Sequence, residues 1–533
     1  MAWGAESGTV FCVRALTGDD CAAVAAALEY ELVPEPGWLL RLLKEHWGYS
    51  SFRPRQQTIV ESILAKRDTA VVMPTGGGKS LCYQLPALAS ERTAVVISPL
   101  IALMRDQAAS LREMGISAAF VNSTLGFTAA GEIQRRAEKG EFRLLYLSPE
   151  RLVREETLAW LGRVSVAFFA IDEAHCISEW GHEFRPEYRQ LRVLRERFPA
   201  IPIAAFTASA TRRVRADIVA QLGLRDPAKI AMSFHRPNLR YFVHQYSGSD
   251  LELLAAAMER YQEGNIIIYA PTIKRVEQTA SALARRGLPA LAYHGQMTPT
   301  VRDRNQEQWM TGEKRILVGT LAFGLGINKA DVRAVIHLAL PKSLEQYYQE
   351  AGRAGRDGHA ADCVLLWRKS DVGLLVHFIQ EIQDGAERER SWQRYRAIRD
   401  FAESRKCRHR QICLHFGETP KWERCGACDI CGTELDWLNP ASSGVESASA
   451  LIRKIPAARV DPGLAAALKN WRMEEAKRQS VPAYVILHDS TIEELCRRMP
   501  RSTADLLEVP GIGERKAQRF GPKILELIGG NDT

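Results

Sequence analysis

A chain of 533 residues is too long for one hydrophobic core and is expected to divide into three or four domains. Its formal charge of +8 is compatible with a polyanionic partner but too small to require one, so the placement of charge must decide. No apolar run approaches the roughly 18 to 20 residues of a membrane span, and the start lacks a basic segment followed by an apolar one, which excludes a membrane partner and points to an intracellular protein, cytoplasmic or at the nucleoid if bacterial.

Residues 1–37 form an Ala-rich extension in which no chemistry is visible. From 38 to 232, short β-rich runs (TAVVM, TAVVIS, FRLLYLS, VAFFAID, IPIAAFT) alternate with helical patterns, the mark of βαβ units and a parallel sheet. After SFHRPNLRY a second such series (NIIIYA, ALAYHG, RILVGT, AVIHLAL, CVLLW) predicts another lobe over 233–367. Residues 368–433 read as a helical subdomain ending in a cysteine cluster, 434–447 as a Ser/Pro/Gly-rich linker, and 448–533 as a small all-helical module. The fold class is α/β, with two tandem parallel-sheet lobes followed by helical pieces.

The strand TAVVM runs into PTGGGKS and then a helical stretch. In that order, backbone N–H groups of a glycine loop and a helix N-terminus wrap phosphates. Thr75, Gly76, Gly77 and Gly78 would line the phosphates, Lys79 would hold the β and γ groups, and Ser80 would place a hydroxyl on Mg²⁺. The strict pattern wants Gly at position 73, where this chain has Met73, so a purely structural turn stays open on the loop alone. One lobe supplies a second signal, because the strand over 164–171 ends in Asp172 and Glu173. Asp172 suits Mg²⁺, and Glu173 suits orienting and deprotonating an attacking water. Taken alone an Asp-Glu pair is more often a solvated helix start; together with Lys79 it favours nucleotide hydrolysis.

The same loop continues as CISEWGHEFRP. Trp180 and Phe184 offer π faces to any base, and Arg185 offers a cation–π or phosphate contact, with His182 between them. Aromatics near a helix are usually core, but the charged and small neighbours here predict an exposed loop. In the second lobe, QEAGRAGRDG sets Gln349, Arg353 and Arg356 in a Gly-rich surround, as a cationic stabiliser of phosphoryl transfer requires. Eleven cysteines are mostly scattered, but Cys407, Cys425, Cys428 and Cys431 give C-x17-C-x2-C-x2-C, four thiolates able to close a tetrahedral Zn²⁺ site. From 388 to 410 nine Lys or Arg face three acids, which reads equally as a duplex-binding surface or a solvated face.

In these motifs the chain resembles RecQ-family DNA helicases of superfamily 2, from about residue 38 to the C-terminus. WGYSSFRPRQ is similar to the family's adenine-recognition motif, which implies that Tyr49 and Arg53 pack on the base and Gln56 reads its edge. PTGGGKS, SPLIALMRDQ, YLSPER, DEAH, FTASAT, GTLAFGLGINK and QEAGRAGRDG resemble motifs I, Ia, Ib, II, III, V and VI. The resemblance implies two RecA-like lobes, ATP as fuel, Arg356 as arginine finger with Arg353 assisting, and CISEWGHEFRP as the loop that senses single-stranded DNA. It also implies a zinc subdomain, 3′-to-5′ unwinding in repair or recombination, and single-stranded-DNA-binding or topoisomerase partners. Glu179 departs from the Gln that the family often has there. A second departure is the spacing after Cys431, which leaves no room for the winged-helix domain many members carry. Residues 448–530 instead resemble an HRDC domain. Its VPGIGERKAQRFG segment is similar to a helix-hairpin-helix turn, whose amides near Gly511 and Gly513 would meet a phosphate beside Lys516, or else simply turn the chain between core helices. A DNA-stimulated ATPase that remodels or anneals DNA, and an RNA-dependent helicase, remain alternative readings.

Overall fold

Buried runs of β-branched and aromatic residues form two all-parallel sheets. The computed structural model describes residues 37–122, 125–320, 323, 329–438, 462–479, 481 and 483–529; the N-terminal extension, most of the linker and the tip of GTLAFGLGINK lie outside them. In the first lobe the strands are β1 (Thr69–Val72), β2 (Thr93–Ile97), β3 (Ala118–Val121), β4 (Leu144–Leu147), β5 (Val166–Ile171), β6 (Ile203–Thr207) and β7 (Ala228–Ala231). They lie side by side in the order β3-β4-β2-β5-β6-β1-β7. The second lobe contains β8 (Leu239–Gln245), β9 (Asn265–Tyr269), β10 (Ala290–Tyr293), β11 (Ile316–Gly319), β12 (Val332–His337) and β13 (Ala361–Trp367), ordered β10-β11-β9-β12-β13-β8.

All ten expected strands are present. Three others, β3, β7 and β8, were not among them, and each is an edge strand. An edge strand is covered less completely, so its sequence carries a weaker apolar run; AKIA in β7 alternates half-buried and exposed positions. In the first sheet β5, β6 and β1 are consecutive neighbours, and from their carboxyl ends emerge Asp172-Glu173, the TASAT segment and PTGGGKS respectively. One sheet edge therefore assembles three motifs far apart in sequence.

The zinc-binding region leans on the second lobe. Its helices Val372–Gln380, Gly385–Glu403 and Arg408–His415 precede a cysteine knuckle that pairs with the free edge of β8, where Tyr241 N donates to Ala427 O at 3.3 Å. The C-terminal module has a core of its own, with Leu468, Ile492, Leu495, Phe520 and Ile524 packed among five helices between Pro462 and Gly529.

That module is docked on both lobes. Lys329 of the second lobe, 4% exposed, meets Asp489 at 2.6 Å, while Arg519 pairs with Glu113 and Lys44 with Glu508 across the first lobe, each at 2.7 Å. Gly48, at φ +69°, ends the helix Trp38–Trp47 against the backbone of Ile512, and Gly513 presses on the carbonyls of Glu45 and His46. A Cβ at Gly513 would overlap the Glu45 oxygen. Gly513→Val is therefore expected to lift the module off the first lobe, read as a larger radius of gyration in solution scattering and faster proteolysis near residue 460, with the melting of the lobes unchanged.

Candidate active site

The phosphate loop has the geometry its glycines predict. Gly76 and Gly78 sit at φ +80° and +85°, where a side chain would be strained, and Ser80 opens the helix Leu81–Ala89. Lys79 points back into the loop's mouth, its Nζ 3.4 Å from Glu173 Oε1. Gln56 Nε2 donates to the carbonyls of Gly77 and Gly78 at 3.2 and 3.3 Å, and Arg53 donates to Gly76 O. Tyr49 is 41% exposed. Arg53 and Gln56 thus stand at the phosphate loop itself, Gln56 also accepting from Arg53 N at 2.9 Å.

Glu173 holds φ +47°, an uncommon backbone for a non-glycine residue, and this turns its side chain toward Lys79. Burial works against its charge, but the Lys79 ammonium and the His175 ring outweigh it and keep Glu173 well below the usual carboxylate range. Asp172 behaves oppositely: burial first and the adjacent Glu173 second push it up to about 6. His175 Nδ1 lies 3.0 Å from Thr207 Oγ1 and 3.3 Å from Glu173 Oε2, so the end of β6 contacts the acid pair through one imidazole.

The second lobe closes this site. Thr75 Oγ1 donates to Gly352 O at 3.0 Å, and Gly76 lies against the side chain of Arg356. Gln349 Nε2 donates to Ser209 Oγ at 2.8 Å, and Arg353 is buried. Burial, then the nearby Arg353 and Arg236, bring Arg356 down to about 9, the signature of cations gathered where an anion belongs. Arg236 was missed by sequence reasoning. Its guanidinium donates to Thr75 O (3.3 Å), Gly352 O (2.8 Å), Ala354 O (3.1 Å) and Gly355 O (2.9 Å), joining both motif loops. SFHRPNLRY had served only as a boundary marker, and an arginine whose partners are main-chain carbonyls leaves no pattern to find.

The aromatic loop is half-buried, where an exposed loop was expected. Arg185 N donates to Cys176 O at 2.9 Å and closes it. His182 stacks on His175 with ring centres 4.7 Å apart and planes within 8°. Burial, followed by that neighbouring ring, lowers His182 below its ordinary value. Phe184 faces Arg189 at 5.8 Å, and Trp180 lies under Arg213 at 3.0 Å. The burial comes from arginines of neighbouring elements, which the loop's own residues do not reveal.

Cys407, Cys425, Cys428 and Cys431 converge, their sulfurs all within 4.8 Å of one another. Asp429 braces the knuckle through Arg408 at 3.0 Å and Val243 N at 3.2 Å. Four thiolates fit a closed, structural zinc site, and Cys413 is buried apart from them. The expectation for Lys516 needs correction. Lys516 is buried at 5% exposure with Nζ donating to Val485 O at 3.3 Å, and burial lowers it to about 8. Gly511 and Gly513 are likewise packed, against Thr491 and the first lobe, so this turn serves docking instead of presenting amides to a phosphate.

Four protein-family models match the chain: DEAD/DEAH box helicase at 53–218, helicase conserved C-terminal domain at 249–358, RecQ zinc-binding at 369–432 and HRDC domain at 461–528. The chain is 33% identical to the ATP-dependent DNA helicase RecQ of Haemophilus influenzae, over 92% of this chain and 95% of that one. It is 32% identical to the ATP-dependent DNA helicase RecQ of Bacillus subtilis, over 91% and 98%. Among solved structures, the DUF1998 helicase MrfA bound to DNA shares the fold at TM-score 0.52 and 17% identity, covering 62% of this chain and 51% of that one. No helix among the described residues is long and apolar enough to cross a membrane.

Two outcomes are expected. Cys425→Ser, or chelation, should release one zinc equivalent in a colorimetric metal assay and unfold the subdomain in circular dichroism. Lys516 favours its neutral form when folded, so the unfolded chain binds more protons between about pH 8 and its ordinary value, and stability rises with pH across that window. Lys516→Met should raise the melting temperature of the C-terminal module below pH 8 and flatten that rise.

Proposed function

Because the chain belongs to the RecQ family of ATP-dependent DNA helicases, we propose that it couples Mg²⁺-dependent ATP hydrolysis to 3′-to-5′ movement on single-stranded DNA, unwinding duplex or structured DNA in repair and recombination inside the cell. The observation that carries this reading is the meeting of Thr75 and Gly76 with Gly352 and Arg356 across the lobes. A γ-phosphate at Lys79 then lies between the two lobes, and its presence or loss favours closure or opening.

In this reading Tyr49 and Arg53 pack on the adenine, and Gln56 reads its edge. Glu173, kept ionised by Lys79, orients and deprotonates the attacking water. Arg356, with Arg353 beside it, stabilises the charge that develops on the transferred phosphoryl group, and Gln349 ties motif VI to Ser209. Asp172 and Ser80 fit a divalent cation, since Asp172 is a buried carboxylate whose charge is opposed by burial and by Glu173 more than Lys79 and His175 support it. When bound, Mg²⁺ supplies neutralisation of the β and γ phosphate oxygens.

The DNA end of the coupling runs through the loop. His182 stacks on His175, and His175 touches both Glu173 and Thr207, so a shift of the loop on a bound strand displaces a neighbour of the catalytic carboxylate. Trp180, Phe184 and Arg185 supply the faces and charge for that strand. Lys79→Ala is expected to lower DNA-stimulated ATP hydrolysis by at least roughly 100-fold and to abolish strand separation on a 3′-tailed duplex. Phosphate release and a gel assay of product strands measure the two, and unwinding that survives the substitution would overturn the mechanism.

A further inference from the structure

Trp180 has guanidinium groups from two different parts of the chain over its ring. Arg213, from the helix Arg212–Gln221 of the first lobe, places its central carbon 3.0 Å from the ring centre. Arg390, from the helix Gly385–Glu403 of the zinc region, sits 5.6 Å away. A base stacking where either guanidinium lies would have to move that arginine.

Arg390 is itself held by carboxylates. Glu179, the residue before Trp180, accepts from Arg189 at 2.6 Å and meets Arg390 at 3.5 Å. Glu387 accepts from Arg390 at 2.9 Å and also from Arg394, and Arg394 donates to Gly181 O at 3.3 Å. Arg390 and Arg394 are only 14% and 16% exposed, so this is a formed cluster and not a fringe of surface charge. Three arginines, 189, 390 and 394, share two glutamates, and Arg213 adds a fourth guanidinium over the same ring. The cluster has spare positive charge, and one of its two anions belongs to the mobile partner in the proposed coupling, the aromatic loop.

We infer that Arg189, Arg390 and Arg394 form a subsite for a phosphodiester of single-stranded DNA, and that Glu179 fills it in the DNA-free protein as an internal phosphate mimic that keeps Trp180 covered. The carboxylate of Glu179 and a backbone phosphate offer the same chemistry to a guanidinium fork, two anionic oxygens in one plane. An incoming strand displaces Glu179 at Arg189 and Arg390, a base takes the ring face that Arg390 leaves, and the loop is free to move His182. In the absence of DNA the same contacts hold the loop against the zinc-region helix and keep hydrolysis low. This rests on the DNA reading above and adds to it the element that makes the loop respond to the strand.

The test uses the full chain, a fluorescent 20-nucleotide oligo-dT across a salt series, and ATP hydrolysis with and without that oligonucleotide. Glu179→Gln keeps the shape and removes the competing charge. It should tighten binding severalfold and raise DNA-free hydrolysis severalfold, lowering the stimulation ratio. Arg390→Ala should weaken binding and reduce the slope of log affinity against log salt by about one. In the Arg390→Ala background, Glu179→Gln should lose most of its effect on affinity, a coupling that a merely structural role for either residue would not produce. Wild-type protein that is stimulated by oligo-dT together with a Glu179→Gln variant matching it in affinity and basal rate overturns the subsite while leaving the helicase reading intact. Additive effects in the double variant do the same. Wild-type protein that neither binds nor responds to oligo-dT overturns both.

Discussion

The Arg236 guanidinium is the point on which the arrangement of the two lobes turns. It comes from the segment that connects them, and it donates to one carbonyl of the phosphate loop, Thr75 O, on one side and to three carbonyls of the 352–355 loop on the other. Carbonyl oxygens aimed into a cleft carry partial negative charge, and without a cation they would repel one another and whatever phosphate enters. Arg236 satisfies four of them at once. The consequence is a cleft whose two walls are registered to each other by main chain, before any ligand is considered, with Thr75 and Gly352 as an auxiliary contact.

Around that registration the ionisable groups are distributed by sign. On the wall of the second lobe, Arg353 and Arg356 crowd together and burial depresses Arg356. On the first, Asp172 is pushed up while Glu173 is held down by Lys79, so two adjacent carboxylates are set to different tasks. Buried cations on one wall facing a buried carboxylate pair on the other give the cleft the charge pattern that a nucleotide's phosphates would meet. The discrimination between the two acids comes from backbone geometry: the left-handed conformation of Glu173 sends its side chain toward the lysine, while Asp172 stays with the strand end and accepts from Glu173 N at 3.0 Å.

The sequence is legible where a motif ends a buried strand. TAVVM, VAFFAID and IPIAAFT are apolar through their length because β1, β5 and β6 are covered on both faces, and the residues that break each run mark the site. The cysteine spacing is legible for a related reason: two C-x2-C steps and a fourth cysteine offer the four thiolates of a closed zinc site. Of the edge strands, β7 and β8 escaped because they are only partly covered, and the packing around Trp180 escaped because Arg213 and Arg390 lie 33 and 210 residues further along the chain. Lys516 was misread for a different cause. A glycine turn followed by a basic helix has the same pattern whether its amides face a phosphate or its glycines let a neighbouring helix approach, and only the second lets the lysine be buried.

That glycine turn gives the seam with the first lobe an unusual mechanical character. At Gly48 with Ile512, and at Gly513 with Glu45 and His46, main chain lies directly on main chain. Side chains at an ordinary interface can change rotamer and keep touching as the surfaces slide, which spreads the loss of contact over several ångströms. Here no rotamer stands between the two backbones, and dispersion attraction at this range falls steeply with a gap of even half an ångström. At these two points the joint tolerates little sliding, whereas the flexible Arg519–Glu113 and Lys44–Glu508 pairs on the same seam can follow small movements.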